Sequence, residues 1–283
     1  MNTKRLLKIL AVAMIMLAFT ACNKTVDGLE YKLYEDGDTS YYTVFSYTED
    51  TSVTEVTIPD EIDDIPVTGI EKSAFAYTSS LEVLNIGKNI TYIDDWGISF
   101  NLYLKEINVD ADNETYASVD GVLYSKDLTI LEVYPNAKEA EYDETGTLLS
   151  SETVYVMDGV VEISKCAFYK CWAISEIVFP DTVEILGERS FLKCTNLVSI
   201  DVGDGLRIVE EDVFLGCDNA DFNSITFPAT LEYISYGAFY AAKYMMEINI
   251  GASEDQVTLE DEWYPSSGGT EVDGYVVTFD YVG

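Results

Sequence analysis

The stretch Val183-Glu-Ile-Leu-Gly-Glu-Arg-Ser-Phe191-Leu-Lys-Cys194-Thr-Asn-Leu197-Val-Ser-Ile200 contains most of one unit of a repeat that decides the fold. Phe191 is one of four phenylalanines that are separated by 23, 23 and 25 residues. These phenylalanines are Phe168, Phe191, Phe214 and Phe239. A period of 20 to 50 residues is typical of solenoids, so the repeat predicts a solenoid.

The other slots of the unit keep the same register. An aliphatic residue lies five positions before each phenylalanine: Ile163, Leu186, Val209 and Ile234. The slots three and six positions after it hold Cys171 and Ile174, Cys194 and Leu197, Cys217 and Ala220, and Ala242 and Met245. An alternating apolar pair closes each unit: Ile177/Phe179, Ile200/Val202, Ile225/Phe227 and Ile248/Ile250. The third pair is displaced by two residues, so residues 218–223 are expected to bulge outward.

Two earlier copies extend the array. The first has Ile70 and Phe75 in the aliphatic and phenylalanine slots, and the second has Ile93 and Ile98. The pairs Val56/Ile58 and Val154/Val156 are interpreted as the strands that open two blocks. The sequence therefore predicts six whole coils, two in the first block and four in the second.

Stacking explains why such a unit folds. One coil cannot bury its own apolar residues, whereas stacked coils bury equivalent residues as continuous columns. Alternation sends both residues of each closing pair to one face of a short strand, and strands about 4.8 Å apart form a parallel sheet. We expect the phenylalanine column to be the core.

The unit that contains Phe191 is similar to the repeat of BspA-like bacterial leucine-rich repeat proteins. Ile65-Pro66-Val67-Thr-Gly-Ile70-Glu-Lys-Ser-Ala74-Phe75 resembles the opening unit of that family. The resemblance implies a β-rich leucine-rich-repeat solenoid with terminal β-hairpin and strand caps. It also implies a role in binding or adhesion at a bacterial surface, with no catalysis and no transferable binding residue.

Residues 1–22 are predicted to be an export signal. Three basic residues precede an apolar run, Ile9–Phe19, of 11 residues, too short for the roughly 20 that span a bilayer. Phe19-Thr20-Ala21-Cys22 resembles a lipoprotein lipobox, which implies cleavage after residue 21 and lipid attachment at Cys22. The alternative is an ordinary signal peptide with a chance cysteine. The lipobox predicts an exported bacterial lipoprotein at the cell surface or the membrane periphery.

The predicted organisation has seven parts. They are a signal peptide 1–21, a lipidated tether 22–28, a β cap 29–52, repeat block 1 at 53–109, a β-hairpin insertion 110–153, repeat block 2 at 154–251 and a C-terminal cap strand region 252–283. The cap is predicted as a hairpin around Glu35-Asp36-Gly37-Asp38, and residues 139–151 as an acidic loop. Tyr275–Val282 is predicted to cap the far end.

Composition excludes several functions. The chain has 51 acidic and 16 basic residues, a net charge of −35 and no histidine. Ser-His-Asp and Cys-His catalysis and histidine-ligated metals are therefore excluded. Nucleic acid is excluded because the chain cannot neutralise a run of phosphates. We expect no cofactor and no enzyme activity.

Four cysteines follow Cys22. Cys171, Cys194 and Cys217 share a slot that Thr78, Asn101 and Ala242 fill elsewhere, so the slot favours a small side chain. Reduced core thiols, a Cys171–Cys194 disulfide and a metal site all stay open, and the redox state of Cys166 is likewise open.

Acidic clusters offer further candidates. Residues 110–114 alternate oxygen ligands that could hold calcium, but they lack the glycine and distal glutamate of an EF-hand loop. Asp94/Asp95 and Glu210/Glu211 could serve as acid/base pairs. The alternatives are a solvated turn and chance pairing.

Two surfaces could hold a partner. The outward positions of the strand pairs form a polar, acidic face that includes Glu176 and Asp201. The turn side carries aromatic side chains, which are favoured at interfaces and sugar-binding platforms: Tyr77, Phe100, Tyr103, Tyr169, Trp172, Tyr240 and Tyr244. The alternative is that these aromatics cover the flank of the solenoid.

The leading hypothesis is a monomeric, membrane-anchored solenoid that binds an unidentified surface protein with a basic patch. A carbohydrate-binding module that uses the turn-side aromatics is the second hypothesis, and a structural spacer without a ligand is the third. The lipid would be the only contact with the membrane.

Overall fold

A computed structural model describes residues 23–282 apart from residues 49, 100, 139, 142, 143, 145–147, 149–151, 268, 269, 272 and 273. The signal peptide, Cys22, Phe100 and most of the predicted acidic loop lie outside the described residues. The described residues form 25 strands and no helix. The strands are β1 Lys24–Val26, β2 Leu29–Asp36, β3 Thr39–Tyr47, β4 Glu55–Ile58, β5 Glu61–Ile62, β6 Ile65–Ile70, β7 Val83–Ile86, β8 Tyr92–Ile93, β9 Glu106–Val109, β10 Tyr116–Val119, β11 Val122–Ser125, β12 Ile130–Val133, β13 Glu152–Tyr155, β14 Glu162–Ile163, β15 Ile174–Val178, β16 Ile185–Leu186, β17 Ser199–Asp201, β18 Ile208–Val209, β19 Ser224–Phe227, β20 Tyr233–Ile234, β21 Glu247–Ile250, β22 Thr258–Leu259, β23 Ser266–Ser267, β24 Thr270–Glu271 and β25 Val276–Thr278.

The closing pairs of the repeat lie in parallel sheets along one side. These sheets have the strand orders β4-β7-β9, β13-β15-β17 and β19-β21-β25. Equivalent residues are direct partners, as Ile177 is of Ile200 and Ile225 is of Ile248. The described residues make about nine turns of roughly 23 residues, so the predicted solenoid is confirmed but has more turns than the six whole coils that the sequence predicted.

A second sheet, which the repeat pattern does not predict, runs along the aliphatic slots. Leu186 pairs with Ile163 on one side and with Val209 on the other, each within a two-residue strand. These short strands continue into an eight-stranded sheet of order β10-β11-β12-β14-β16-β18-β20-β22. Each coil of block 2 therefore has two strands, and its apolar core lies between them.

The phenylalanine column is a continuous stack. Ring centroids lie 5.1 Å apart for Phe168 and Phe191, 5.7 Å for Phe191 and Phe214, and 5.1 Å for Phe214 and Phe239. All four rings are fully buried. Tyr134 stacks on the first ring at 5.0 Å, and Trp263 meets the last edge-on at 6.4 Å. The core prediction is confirmed.

The displaced third coil folds differently from the prediction. Ala220, which was assigned to a core slot, is exposed, whereas Phe222 is fully buried 5.8 Å from Phe214. The two additional residues therefore shift the slot along the chain. The expectation that residues 218–223 bulge outward as a whole is wrong, because a phenylalanine inside the segment replaces the slot residue in the core.

Each coil turns beside its phenylalanine through left-handed backbone. Arg189 and Lys193 have φ of 57° and 61°, two residues on either side of Phe191. The same slots of the next coil hold Asp212 and Gly216, also at positive φ. The N–H groups of Arg189, Phe191 and Lys193 donate to carbonyls of the following coil at 2.8 to 3.0 Å. These turns are therefore hydrogen-bonded from coil to coil, which offsets the strain of the left-handed residues.

Caps cover both ends, as predicted. β2 and β3 form an antiparallel hairpin, and β3 continues in parallel onto β6 of the first coil. Lys24–Val26 pairs with β2, so the segment predicted as a tether contains a strand instead. At the other end β25 pairs in parallel with β21.

The insertion is a three-stranded antiparallel meander, β10 to β12. Its last strand pairs in parallel with β14, so the insertion joins the second sheet of block 2. Tyr134 follows this strand and occupies the phenylalanine slot of an extra turn above Phe168. The insertion therefore extends the solenoid rather than standing outside it.

Candidate binding surfaces

The four cysteines after residue 22 are free thiols. Cys194 and Cys217 donate from Sγ to the carbonyl oxygens of Phe168 and Phe191 in the preceding coil, at 3.0 and 3.1 Å. Burial raises the pKa of the Cys171 and Cys217 thiols, and it raises the pKa of Cys166 to about 12. Protonated thiols such as those of Cys171 and Cys217 are poor nucleophiles and poor metal ligands. Cys171, Cys194 and Cys217 are all buried, so their column is part of the core.

The acidic clusters support turns. Asn113 is fully buried, and its amide donates to Gly87 and Ile90 carbonyls while its oxygen accepts from the N–H groups of Thr115 and Tyr116. An oxygen that already accepts two hydrogen bonds has little capacity left for calcium. Within the described residues, no group of three or more Cys, Asp or Glu side chains is placed to hold a metal ion.

The paired carboxylates likewise have structural partners. Asp94 accepts from the Tyr92 hydroxyl and the Trp96 N–H, at 3.0 and 3.1 Å. Glu210 accepts from the Glu188 N–H at 3.0 Å, and its neighbour Glu211 lies 3.5 Å from the Arg189 guanidinium. Neither pair aims two free carboxyl groups at a common point.

The outward face of the strand pairs is acidic. Glu176 and Asp201, the two candidates named from the sequence on this face, are both exposed. Glu55, Glu106 and Glu247 are exposed on equivalent strands. In block 2, Glu176 accepts a cross-strand hydrogen bond from the Thr153 hydroxyl at 2.9 Å. The face therefore presents exposed carboxylates on β4, β9, β15, β17 and β21.

Tyr155 is an aromatic on the same face that the sequence analysis missed. It lies at the outward position of β13 and is largely exposed. The alternation Glu-Thr-Val-Tyr in β13 already places this ring opposite the buried Val154, so alternation was the signal that could have found it.

The turn-side aromatics do not form one platform. Tyr169 is only 5% exposed and packs edge-on against Trp96 at 5.8 Å, and burial raises its pKa to about 12. Tyr169 is therefore not accessible to a ligand, in contrast to the prediction. Trp172 and Tyr240 are half-buried, and Tyr244 is 40% exposed with the Lys243 ammonium 4.8 Å from its ring centre.

A cavity of about 350 Å³ lies between the insertion and β13, and the sequence analysis missed it. Its floor is apolar and includes Val122, Leu131 and Val154, whereas Asp120 and Glu152 line it with carboxylates. Three separate segments contribute to the cavity, so no local motif marks it.

Lys165 links the two blocks on the turn side. Its ammonium lies 2.8 Å from Glu188 in the next coil and 3.8 Å from Asp95 of block 1. Arg189 continues this network to Asp212 at 2.7 Å. These pairs lie along the stack and tie neighbouring coils together.

No helix in the part of the chain that the structure describes is long and apolar enough to cross a membrane.

The two-strand coils, the stacked phenylalanine slots and the left-handed turns define a leucine-rich-repeat solenoid. The family model for the BspA type leucine rich repeat region matches six times, over residues 36–139 and 149–261, so the chain belongs to this family. No curated protein matches the chain in sequence.

Several solved structures are similar to this chain. A leucine rich cell surface protein from Faecalibacterium prausnitzii A2-165 is 16% identical with a TM-score of 0.51, and the match covers 93% of this chain and 96% of that one. The pneumococcal vaccine antigen PcpA is 14% identical with a TM-score of 0.45 over 94% of this chain and all of that one. A leucine-rich repeat protein from Bacteroides ovatus is 15% identical with a TM-score of 0.45 over 83% of this chain and 66% of that one.

Proposed function

We propose that this protein is a non-enzymatic lipoprotein of the bacterial surface that binds another protein through the outward face of its strand pairs. The observation that carries the proposal is the set of exposed carboxylates on this face, among them Glu176 and Asp201. Two findings support the surface location. They are membership of the family and the similarity to the leucine rich cell surface protein from Faecalibacterium prausnitzii A2-165.

The chemistry of the face selects the partner. Exposed carboxylates on a rigid sheet attract a complementary positive patch and repel an acidic one. The net charge of −35 adds a long-range field that speeds the encounter with a basic protein and weakens as salt screens it. The partner is therefore a protein with a basic patch, and Tyr155 offers an aromatic anchor beside the carboxylates.

The test measures binding of the purified full chain, kept in detergent, to a panel of purified extracellular-matrix and bacterial surface proteins. Affinity for a true partner should fall steeply between about 50 and about 500 mM NaCl. Replacing Glu176 and Asp201 together by Lys should weaken binding about tenfold or more.

The control variant carries Glu35→Lys and Asp38→Lys at the tip of the cap hairpin, where both residues are exposed. It changes the net charge by the same amount but leaves the sheet face intact. Equal loss in both variants would mean that overall charge, and not this face, drives association. Binding to no protein of the panel would favour the spacer alternative.

Lipid attachment at Cys22 is part of the proposal and has its own test. Cys22→Ser should abolish incorporation of labelled palmitate and release the protein from the membrane fraction. Membrane association without label would instead indicate an uncleaved apolar signal segment.

The carbohydrate alternative rests on fewer side chains than the sequence suggested. It loses Tyr169, which is buried, and retains Trp172, Tyr240 and Tyr244. Glycan retention that survives Trp172→Ala would eliminate it.

A further inference from the structure

Two lysines on the turn side of block 2 stand out in an acidic chain. Lys170 and Lys193 occupy the same slot of adjacent coils, two residues after Phe168 and Phe191, and both have positive φ. Neither forms an ion pair with a carboxylate among the described residues. Other cations of the same block do form such pairs, as Lys165 and Arg189 show. Two adjacent positive charges therefore lack a counter-charge within the described part of the protein.

The surroundings of Lys170 favour an added anion. Its ammonium lies 5.2 Å from the ring centre of Tyr169 and 5.7 Å from that of Trp172. Partial burial and the neighbouring Lys193 lower the pKa of Lys170, because both disfavour its positive charge. A bound carboxylate would remove the repulsion between the two ammonium groups.

The backbone fixes this arrangement before any ligand binds. The N–H groups of Lys170 and Lys193 donate to the carbonyl oxygens of Leu192 and Leu215, at 2.9 and 2.8 Å. The Asn196 side-chain amide donates to the carbonyl of Trp172 at 2.7 Å, and this hydrogen bond holds Trp172 against the next coil. A site built on stacked turns loses little entropy when a ligand binds.

The positive pair is confined to two coils. The same slot holds Gly216 and Ala241 in the following coils, and Asn136 in the extra turn above Phe168. Lys193 is exposed, Lys170 is partly buried and Trp172 is half-buried, so charged groups and an apolar ring reach the surface together.

We propose that Lys170, Lys193 and Trp172 form a binding site for a saccharide that carries a single carboxylate. The carboxylate accepts hydrogen bonds from both ammonium groups, and the apolar face of the sugar ring packs on the indole. Charge-assisted hydrogen bonds supply the affinity for the acid group, and the aromatic ring supplies the preference for a sugar.

The charge of the chain favours one carboxylate over many. An acidic peptide or a polyuronate brings further negative charges into the field of a protein with a net charge of −35. A saccharide with one acid group places its charge between the two lysines, and its remaining hydroxyl groups carry none. This site lies on a different stretch of the coil from Glu176 and Asp201 and does not depend on the sheet-face proposal.

The experiment titrates the full chain, in detergent, with sialyllactose and with lactose in a calorimeter. These probes differ by the carboxylated sugar, so sialyllactose should bind at least about tenfold more tightly. The Lys170→Gln/Lys193→Gln double variant should lose about tenfold or more in affinity for sialyllactose. Lys72→Gln is the matched control, since Lys72 is an exposed lysine of block 1 with no ion pair among the described residues, and it should change affinity by less than about twofold.

Two further arms test the role of the ring. Trp172→Leu should weaken sialyllactose about fivefold or more, because it removes the aromatic packing surface. Polyglutamate should bind more weakly than sialyllactose. The lysine substitutions lie at the surface, so unchanged thermal midpoints would show that the variants fold.

Four results would overturn the proposal. They are no binding of sialyllactose, equal affinity for lactose, sialyllactose binding that the lysine double variant keeps, and polyglutamate binding that is as tight as the sugar and indifferent to Trp172→Leu. The last result would identify a site for acidic peptides instead.

Discussion

The two repeat blocks build the same coil with different core chemistry. In block 2 the phenylalanine slot is an unbroken aromatic stack from Tyr134 to Trp263. In block 1, Phe75 is followed by Ile98, and the cap supplies Tyr47 at 5.8 Å from Phe75. An aliphatic side chain and a cap residue can therefore fill a column that phenylalanine fills elsewhere, because the slot requires bulk and burial rather than one residue type.

The slot three residues after the phenylalanine, called the small slot because it favours a small side chain, also differs between the blocks. Block 2 fills it with Cys194 and Cys217, whose thiols bond to carbonyls of the preceding coil. Block 1 fills it with Thr78 and Asn101, which are buried and whose side-chain polar atoms have no hydrogen-bond partner among the described residues. A buried polar group without a partner costs free energy, so this slot should contribute less to stability in block 1 than in block 2.

The largest effect should come from Phe191→Ala. Phe191 stacks between Phe168 and Phe214 and is fully buried, so truncation opens a cavity and should lower the free energy of unfolding by about 3–5 kcal/mol. Urea titration followed by circular dichroism measures the change.

Phe75→Ala is the matched substitution in block 1. Its only ring contact within the described residues is with Tyr47, so the loss should be smaller than for Phe191 by about 0.5–1.5 kcal/mol per missing aromatic pair. Equal losses would mean that aromatic stacking adds nothing to burial in this column.

The sequence predicted the repeat, its period and its core column because burial repeats at fixed spacing. It did not predict the second sheet, since two-residue strands such as Ile185–Leu186 are too short to show alternation. The repeat predicts Leu186 as a core residue, but its backbone pairing depends on the neighbouring coils, which one unit does not contain.

The surface was harder to predict than the core. Tyr169 is one of the ligand contacts predicted from the sequence, yet it is buried against Trp96, a residue of the other block more than 70 positions away. Contacts across the insertion have no periodic signal. The pairing state of Lys170 and Lys193 also depends on which carboxylates the fold brings near, so it could be established only from the structure.

Asn101→Cys would convert the small slot of block 1 to the block 2 type. A thiol is close in size to the amide and removes polar atoms that have no partner among the described residues, so the protein should gain about 1–3 kcal/mol. The free energy of unfolding in urea under reducing conditions measures the gain. Cys194→Asn makes the opposite exchange and should destabilise. A loss for Asn101→Cys would show that the amide is satisfied by an unseen partner such as buried water.

Cys166 adds an alkali-sensitive group to block 2 in a slot that holds Ser73 in block 1. Burial raises the pKa of Cys166 from 9.0 to about 12. The unfolded chain therefore releases this proton first, and the stability that Cys166 contributes is present below pH 9 and falls as the pH rises toward 12.

At pH 10 this loss should be roughly 1.4 kcal/mol for the one thiol. The measurement compares the free energies of unfolding of the native chain and Cys166→Ser at pH 8 and pH 10, under reducing conditions. The fall between the two pH values should be smaller in the variant by that amount, because all other titrating groups are shared. The same fall in both proteins would contradict a buried, protonated thiol at this position.

The smallest effect concerns the ion pairs that join the blocks. Lys165 lies 2.8 Å from Glu188 within block 2 and 3.8 Å from Asp95 of block 1, and the Asp95 side chain is 58% exposed. Water screens the second pair more strongly, so a double-mutant cycle should give about 0.5–1 kcal/mol for Lys165 with Glu188 and less than about 0.5 kcal/mol for Lys165 with Asp95.

Lys72, in the equivalent slot of the first coil, has no ion pair among the described residues, so Lys72→Ala should change stability by less than about 0.5 kcal/mol. Both couplings should shrink in 1 M NaCl, where the Debye length is about 3 Å. A coupling to Asp95 as large as that to Glu188 would mean that the two blocks are held together electrostatically at their junction. A weak coupling to Asp95 would mean that the two blocks are joined mainly by other contacts. These are the packing of Trp96 on Tyr169 and the pairing of the insertion with block 2.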